Sequence, residues 1–248
     1  MKVSAVILTK NEEEDIVDCL NDLKFCDEII VIDDYSDDKT PELVKNFENG
    51  RIRVFQRHLD DDFSAQRNFA LQKCSNDYVL FVDADERVPS KLREEIGLTG
   101  PEFDGYFIKR TDFIWGRMLY HGEVGNIFLL RFANKNKGKW EGKVHEVWKI
   151  QGKVRKLREE LYHFPHQSVS VFLTEINKYT DLRSKELYER GVKASFLSIL
   201  MYTKAKFILN YILRRGFLDG TPGFLMSAFM SFHSFLVRGK LWLLWKKD

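Results

Sequence analysis

Cysteine is scarce in this chain: Cys19, Cys26 and Cys74 are its full complement. An odd number with no C-x-x-C spacing argues against both a disulfide framework and a zinc site, and it fits a reducing cytosol. No glycine-rich loop follows the first apolar run, so the phosphate cradle of many nucleotide-binding enzymes is missing. That run, inside MKVSAVILTKNEEED, is about five residues long, too short for the core of a signal peptide. Internal repeats and low-complexity linkers are also absent, as is a clean apolar span. Residues 196–215 are broken by Lys204 and Lys206, and a charge at mid-span costs roughly 2.5 to 3.5 kcal/mol. In 224–247 only Leu225 to Val237 lies between breaks, with His233 inside it, short of the roughly 20 residues that crossing a bilayer needs.

A large net charge is missing as well, since the formal value is +2. The balance is uneven, however: from Arg183 onward there are 12 Lys and Arg against 4 Asp and Glu, which leaves an acidic excess in residues 1–182. With 248 residues, 44% of them apolar, the chain is long enough to bury a sizeable core and is not a disordered protein.

What is present has a rhythm. Val3 to Leu8 is a β-branched apolar run stopped by Thr9-Lys10-Asn11, and Ile16, Val17, Leu20 and Leu23 then fall at helical spacing. The pattern recurs with EIIVID (28–33) before a helix over 41–47, RIRVF (51–55) before a helix over 64–74, and YVLFVD (78–83) before a helix over 89–96. Such alternation predicts an α/β fold with a mainly parallel sheet covered by helices on both faces. After about residue 100 the alternation fails. Residues 105–116 and 126–134 read as strands, 139–150 follows, and the chain turns helical and apolar from Ser168. The resulting division is a domain over 1–167 and a C-terminal helical segment over 168–248.

In an open α/β sheet the ligand site lies beyond the carboxyl ends of the strands. Three strands end in polar residues: Thr9 to Glu12, Asp33-Asp34 and Asp83-Asp85-Glu86. Like charges packed this closely repel unless something neutralises them. A polar turn is one reading: Asp33 and Asp38 can satisfy turn amides or cap the helix that follows, and for Asp33 this is the favoured reading. A hard divalent cation, magnesium or manganese, held by one or two carboxylates together with a substrate diphosphate is the other.

The stretches ILTKNEE, VIDDYSDD, SAQRNFAL and FVDADE, in this order and spacing, resemble the family 2 glycosyltransferases of the GT-A fold, which move a sugar from a nucleotide-diphosphate donor with inversion. VHE (144–146), LYHF (161–164) and YILRRGFLDGTPGF (211–224) are similar to the lipopolysaccharide core glucosyltransferase branch of that family. The resemblance implies a GT-A, Rossmann-like mixed sheet. It implies that Thr9 and Glu12 line the nucleotide pocket, that Asp34 accepts the uracil imide proton, and that Arg67 faces the nucleotide or diphosphate. Asp83 would approach the ribose and metal, and Asp85 would ligate the metal, Mn2+ or Mg2+. Tyr35 stands where the family often has glycine after the double Asp, which alters the base pocket.

Inversion needs a base on the far side of the sugar from the leaving diphosphate. Glu146 is the candidate, since family members carry an acid in the equivalent segment, with Glu141 in reserve. GT-A enzymes often supply a C-terminal histidine to the metal, for which His163 is the candidate and His166 the alternative; neutral imidazole suits manganese. The donor implied is a UDP-sugar and the acceptor a saccharide or lipid-linked saccharide of the cell envelope. A polyprenyl-phosphate acceptor, or a non-catalytic peripheral protein with a structural metal, are alternatives. A D-x-D-x-T phosphotransferase is disfavoured because the first strand ends in Thr-Lys-Asn.

The basic, aromatic tail fits helices lying on an anionic membrane surface, which would put the protein on the inner face of the cytoplasmic membrane. The alternative is a helical subdomain packing against the core or a twin subunit in an oligomer. Nucleic acid is not expected, because the aromatics fall at helical spacing and no binding motif is present.

Overall fold

The computed structural model describes residues 1–47, 50–142, 146–165 and 168–247. In chain order the first half holds β1 (Val3–Thr9), α1 (Ile16–Asp22), β2 (Glu28–Asp33), α2 (Thr40–Asn46), β3 (Ile52–Gln56), α3 (Phe63–Lys73) and β4 (Tyr78–Asp83). There follow β5 (Glu86–Arg87), α4 (Ser90–Leu98), β6 (Gly105–Ile114), β7 (Arg117–Leu119), β8 (Ile127–Asn134), β9 (Gly138–Glu141), β10 (Val147–Ile150) and β11 (Val154–His163), then α5 (Val169–Glu189), α6 (Phe196–Phe207) and α7 (Gly220–Lys247). The chain forms two compact units, the first from Met1–Arg110 and Phe128–Phe164, the second from Thr111–Ile127 and the chain from Pro165 onward. Residues 111–127, grouped with the amino-terminal domain on sequence alone, cluster with the C-terminal helices.

The main sheet runs in the order β3-β2-β1-β4-β8-β6-β11-β5. Its first four strands are parallel, as the alternation predicts, while β8 joins β4 and β5 joins β11 antiparallel. Strands covered on both sides read as continuous apolar runs, and β2 is buried at every position. The two faces of β1 separate cleanly. Val3, Ala5 and Ile7 share a core with Ile16 and Leu20 of α1, Val44 of α2 and Leu92 of α4. Val6, with Ile30 and Ile32 of β2, meets Ala70 and Leu71 of α3.

β9 and β10 pair antiparallel as a two-stranded hairpin, so that Trp140 lies opposite Trp148. The two indoles stack with centroids 5.4 Å apart, and both meet Phe81 of β4 edge-on at 5.1 and 5.2 Å. Asn68 of α3 clamps the hairpin: its amide donates to the Trp140 carbonyl at 2.9 Å and accepts from the Trp140 N–H at 3.0 Å. A side chain on α3 and one on the hairpin are thereby fixed relative to each other.

In the second unit Leu187, Val237 and Leu241 form one core, and Trp115 meets Phe172 and Phe229 in another contact. The Gly-Thr-Pro-Gly stretch at 220–223, which reads as a helix breaker, is the first turn of α7. The break lies before it. A wide π-turn, Ile208–Leu213, extends α6, and Arg215 then takes a left-handed φ of 59°.

The hairpin depends on Gly138. A Cβ there would stand 1.8 Å from the Lys149 carbonyl oxygen on the opposite strand. Gly138→Ala must push β9 away from β10, and an overpacking cost of about 1 to 3 kcal/mol should appear as a lower urea midpoint with an unchanged slope.

Candidate active site

The polar strand ends meet in a row. Thr9 pairs in register with Asp33 on one side, and Leu8 with Asp83 on the other. The loops beyond β1 and β2 are laced together. The Asp34 amide donates to the Thr9 carbonyl at 2.9 Å, Glu12 N–H to the Thr40 hydroxyl at 2.8 Å, and Asp37 N–H to the Asn11 side chain at 3.0 Å. Asp33 accepts from the Ser36 hydroxyl and amide, and Asp38 from the amides of Glu13 and Thr40, so both act as turn acceptors.

Asp34 is different. Its carboxylate takes an ion pair from Lys10 at 3.0 Å and the Leu59 amide at 3.0 Å, with His58 at 3.5 Å. Burial pushes this carboxyl up, but the Lys10 ammonium and the Leu59 amide outweigh it and hold it below the ordinary range. Tyr35 has a φ of 51°, the left-handed conformation that a glycine adopts freely, and its ring stacks on His58 at 4.0 Å. The Thr9 hydroxyl is buried without a hydrogen-bond partner among the described residues. Glu12 contributes its carbonyl to the first turn of α1.

The densest cluster surrounds Asp83. Arg67 of α3 donates from Nη2 to Asp83 Oδ1 and from Nε to Glu146 Oε1, each at 3.0 Å. Arg131 of β8 donates from Nη2 to Asp83 Oδ2 at 2.5 Å and to Glu86 Oε1 at 3.2 Å. Glu86 in turn accepts the Asp83 amide at 2.9 Å. Arg67 is 4% exposed, so it is no solvated charge on a helix face. Its guanidinium lies over Trp140 at 4.8 Å and Phe81 at 5.4 Å, and its Nη1 is buried without a partner among the described residues.

These contacts fix the charge states. Burial would raise the Asp83 carboxyl, but Arg131 and Arg67 hold it well below the usual carboxylate range. Burial dominates at Glu86, whose carboxyl is pushed up. Arg131, buried between two acids, is held firmly cationic.

Glu146 sits immediately before β10 and joins the cluster through Arg67. Glu141, its reserve on β9, instead pairs with Lys149 at 2.6 Å and Lys139 at 3.5 Å on the hairpin surface. Asp85, just past β4, meets His163 at the end of β11, with Oδ2 and Nε2 3.1 Å apart. The short β5–β11 pairing sets this contact, since His163 lies opposite Glu86 in register. His166 and the Val144-His145 part of the VHE stretch lie outside the described residues. A carboxylate and an imidazole together fit two positions of a manganese or magnesium shell. Both Asp83 oxygens are taken by guanidinium groups, and among the described residues no three His, Cys, Asp or Glu side chains converge as a metal site.

Sequence reasoning missed Arg131. Its one signal is a lone cation in the apolar strand NIFLLRFAN, where a charge is kept only with a partner.

A curled, mostly parallel sheet with acids at its strand ends defines a GT-A type nucleotide-sugar enzyme fold. Residues 4–174 match the family described as Glycosyl transferase family 2, and the chain belongs to that family of glycosyltransferases. It is 28% identical over 250 residues to the lipopolysaccharide core biosynthesis glycosyltransferase LpsC of Rhizobium meliloti (strain 1021), covering 98% of this chain and 92% of that protein. An uncharacterized glycosyltransferase of Rickettsia typhi (strain ATCC VR-144 / Wilmington) is 27% identical over 97% of this chain and 86% of its own length. Among solved structures, S. aureus TarS 1-349 in complex with UDP-GlcNAc shares the fold with a TM-score of 0.53 at 15% identity, covering 100% of this chain and 92% of that one.

Arg131→Met would leave Glu86 buried, and the partly buried Asp83 with Arg67 alone, without their shared cation, a loss of up to about 3 to 5 kcal/mol. The pH dependence follows from Asp83. A depressed folded-state pKa gives stability that is present above the unfolded carboxylate value near 4 and is lost as pH falls through the folded value. The gap in melting temperature between wild type and Arg131→Met should therefore be full at pH 7 and narrow below about pH 4. A gap that widens in acid would contradict the pairing.

Proposed function

We propose that this glycosyltransferase moves a hexose from a UDP-sugar, with inversion and with help from a divalent cation, to a saccharide or lipid-linked acceptor of the cell envelope. Lipopolysaccharide core is the acceptor class suggested by the name of LpsC, and the setting is the inner face of the cytoplasmic membrane. The observation that carries this reading is the bridge made by Arg67: one buried guanidinium holds both Asp83 at the end of β4 and Glu146 beside the hairpin.

On the donor side, Asp34 is an ionised acceptor suited to a uracil imide N–H, and the unpartnered Thr9 hydroxyl is a polar group available to the nucleotide. Asp85 and His163 would hold the cation, which when bound neutralises charge developing on the leaving diphosphate. Arg67, with Nη1 unspent, offers a further donor toward anionic oxygens.

For transfer, the Glu146 carboxylate accepts the proton of the acceptor hydroxyl as that oxygen attacks the anomeric carbon. The new C–O bond forms on the face opposite the diphosphate, the old one breaks, and UDP leaves with both bonding electrons. The proton on Glu146 then returns to solvent. Arg67 fixes the direction of the Glu146 carboxylate through its Nε–H.

Two substitutions separate binding from chemistry. Asp85→Asn should lose most cation-dependent UDP affinity in isothermal titration while the fold survives. Glu146→Gln should leave that affinity nearly unchanged and lower transfer at saturating donor by about 10² to 10⁴. If Glu141→Gln is inactive while Glu146→Gln transfers normally, the base is Glu141. UDP binding in wild type that ignores both manganese and Asp85 would remove the cation from the mechanism.

A further inference from the structure

The second unit carries a surface that its own packing does not explain. α6 and the π-turn after it form a continuous apolar helical stretch, Phe196–Leu213, with a mean hydropathy of 1.3 and only 6% of it buried. A core helix of a soluble domain hides such a stretch. Here one stripe does pack: Ser231 of α7 donates to the Thr203 carbonyl at 2.7 Å, Asn210 is buried, and Lys206 is paired with Glu123 at 2.8 Å. The other stripe is open, with Leu197 at 64%, Met201 at 56%, Ile208 at 46% and Ile212 at 54% exposure. Leu197, Met201 and Ile208 recur at helical spacing, so they share one face, with Lys204 the one cation within it.

The charge along this segment of the chain has one sign, Glu123 being taken by Lys206. From Gly191 to Arg215 the sequence has no Asp or Glu and five Lys and Arg. Lys193, Lys204, Arg214 and Arg215 are exposed. Asp219, the next acid along the chain, is buried and accepts the backbone N–H of His121 at 2.8 Å, so it does not offset the surface charge.

From this we infer that α6 and its π-turn lie in the plane of an anionic bilayer surface, with the Leu197, Met201 and Ile208 stripe in the acyl boundary and the cations at the phosphate level. This deepens the membrane-surface part of the proposed function and rests on it for the lipid-linked acceptor. It centres the contact of the basic tail on α6; α7 packs Met226, Val237 and Leu241 inside its unit and also exposes Phe224, Phe232, Phe235 and Leu243.

Two physical arguments choose this occupant. Eighteen residues rise about 27 Å, just short of the roughly 30 Å of hydrocarbon, and Lys204 and Lys206 would sit near mid-span. In plane, Lys204 can reach up along its own stem to the headgroups. A second copy of the chain would bring Lys204, Arg214 and Arg215 against the same cations, and like charges across an interface are repulsive. Anionic headgroups instead gain from each of them.

The test uses the full chain with vesicles of phosphatidylcholine alone or mixed with phosphatidylglycerol. Wild type should sediment with the mixed vesicles, less so as salt is raised. The double variant Met201→Glu, Ile208→Glu should keep its melting temperature and lose at least about tenfold in vesicle affinity. UDP titration of the same variant should match wild type, which keeps a failure here distinct from a failure of the donor site. Equal vesicle binding by the variant, or no binding by wild type, overturns the inference. So does a wild-type dimer in light scattering that the variant converts to monomer, which would assign the face to a second copy. Vesicle association that resists both salt and alkaline carbonate would contradict an in-plane helix and indicate a spanning one.

Discussion

Burying charge is the constraint on which this fold turns. Asp83, Glu86, Arg67 and Arg131 are drawn from α3, β4, β5 and β8, and each of these groups, charged and alone, would be costly to take out of water. Together they satisfy one another, and the strands that carry them must hold register for the contacts to exist. Removing one partner is far worse than never having had the pair, because the remaining charge stays behind. Arg67 has a second duty, since its Nε–H reaches Glu146. The spacing between the strand-end acids and the hairpin is thus set by one rigid, planar side chain that rests on Trp140 and Phe81.

Much of the frame was legible in the sequence because apolar periodicity reports burial directly. EIIVID and YVLFVD fall on β2 and β4 residue for residue, and the helices between them differ only at their ends. The hairpin was not legible as such: KWEGKVHEVWKI has an apolar rhythm that runs through its middle, and only the pairing of Trp140 with Trp148 folds it back. β11 carries so many charges, in VRKLREELYH, that no periodic signal marks it as a strand of the main sheet. Gly-Thr-Pro-Gly reads as a breaker, yet proline is well accommodated in a helix's first turn, and that is where α7 puts it.

The candidate site was legible to the extent that it sits at strand ends. Thr9, Asp33 and Asp83 stop apolar runs, and parallel pairing brings such stops into a row. Partnership was not legible. Nothing local tells that Arg67 turns inward, that Arg131 reaches Asp83 from an antiparallel neighbour, or that Glu141 spends itself on two lysines while Glu146 does not. The Arg67 and Arg131 outcomes depend on contacts between residues 16 to 79 positions apart, which a one-dimensional pattern does not encode. Tyr35 shows the converse: its side chain departs from the glycine pattern, but its backbone keeps the left-handed turn the position requires.

The coupling of donor acid to candidate base through one guanidinium is most directly tested with Arg67→Lys, which keeps the charge and loses the planar fork. UDP affinity and the single-turnover transfer rate would be measured on the same folded preparation. A bridge between Asp83 and Glu146 predicts that both fall together, unlike a base substitution that lowers rate alone. Wild-type affinity and wild-type rate in a folded Arg67→Lys protein would contradict it.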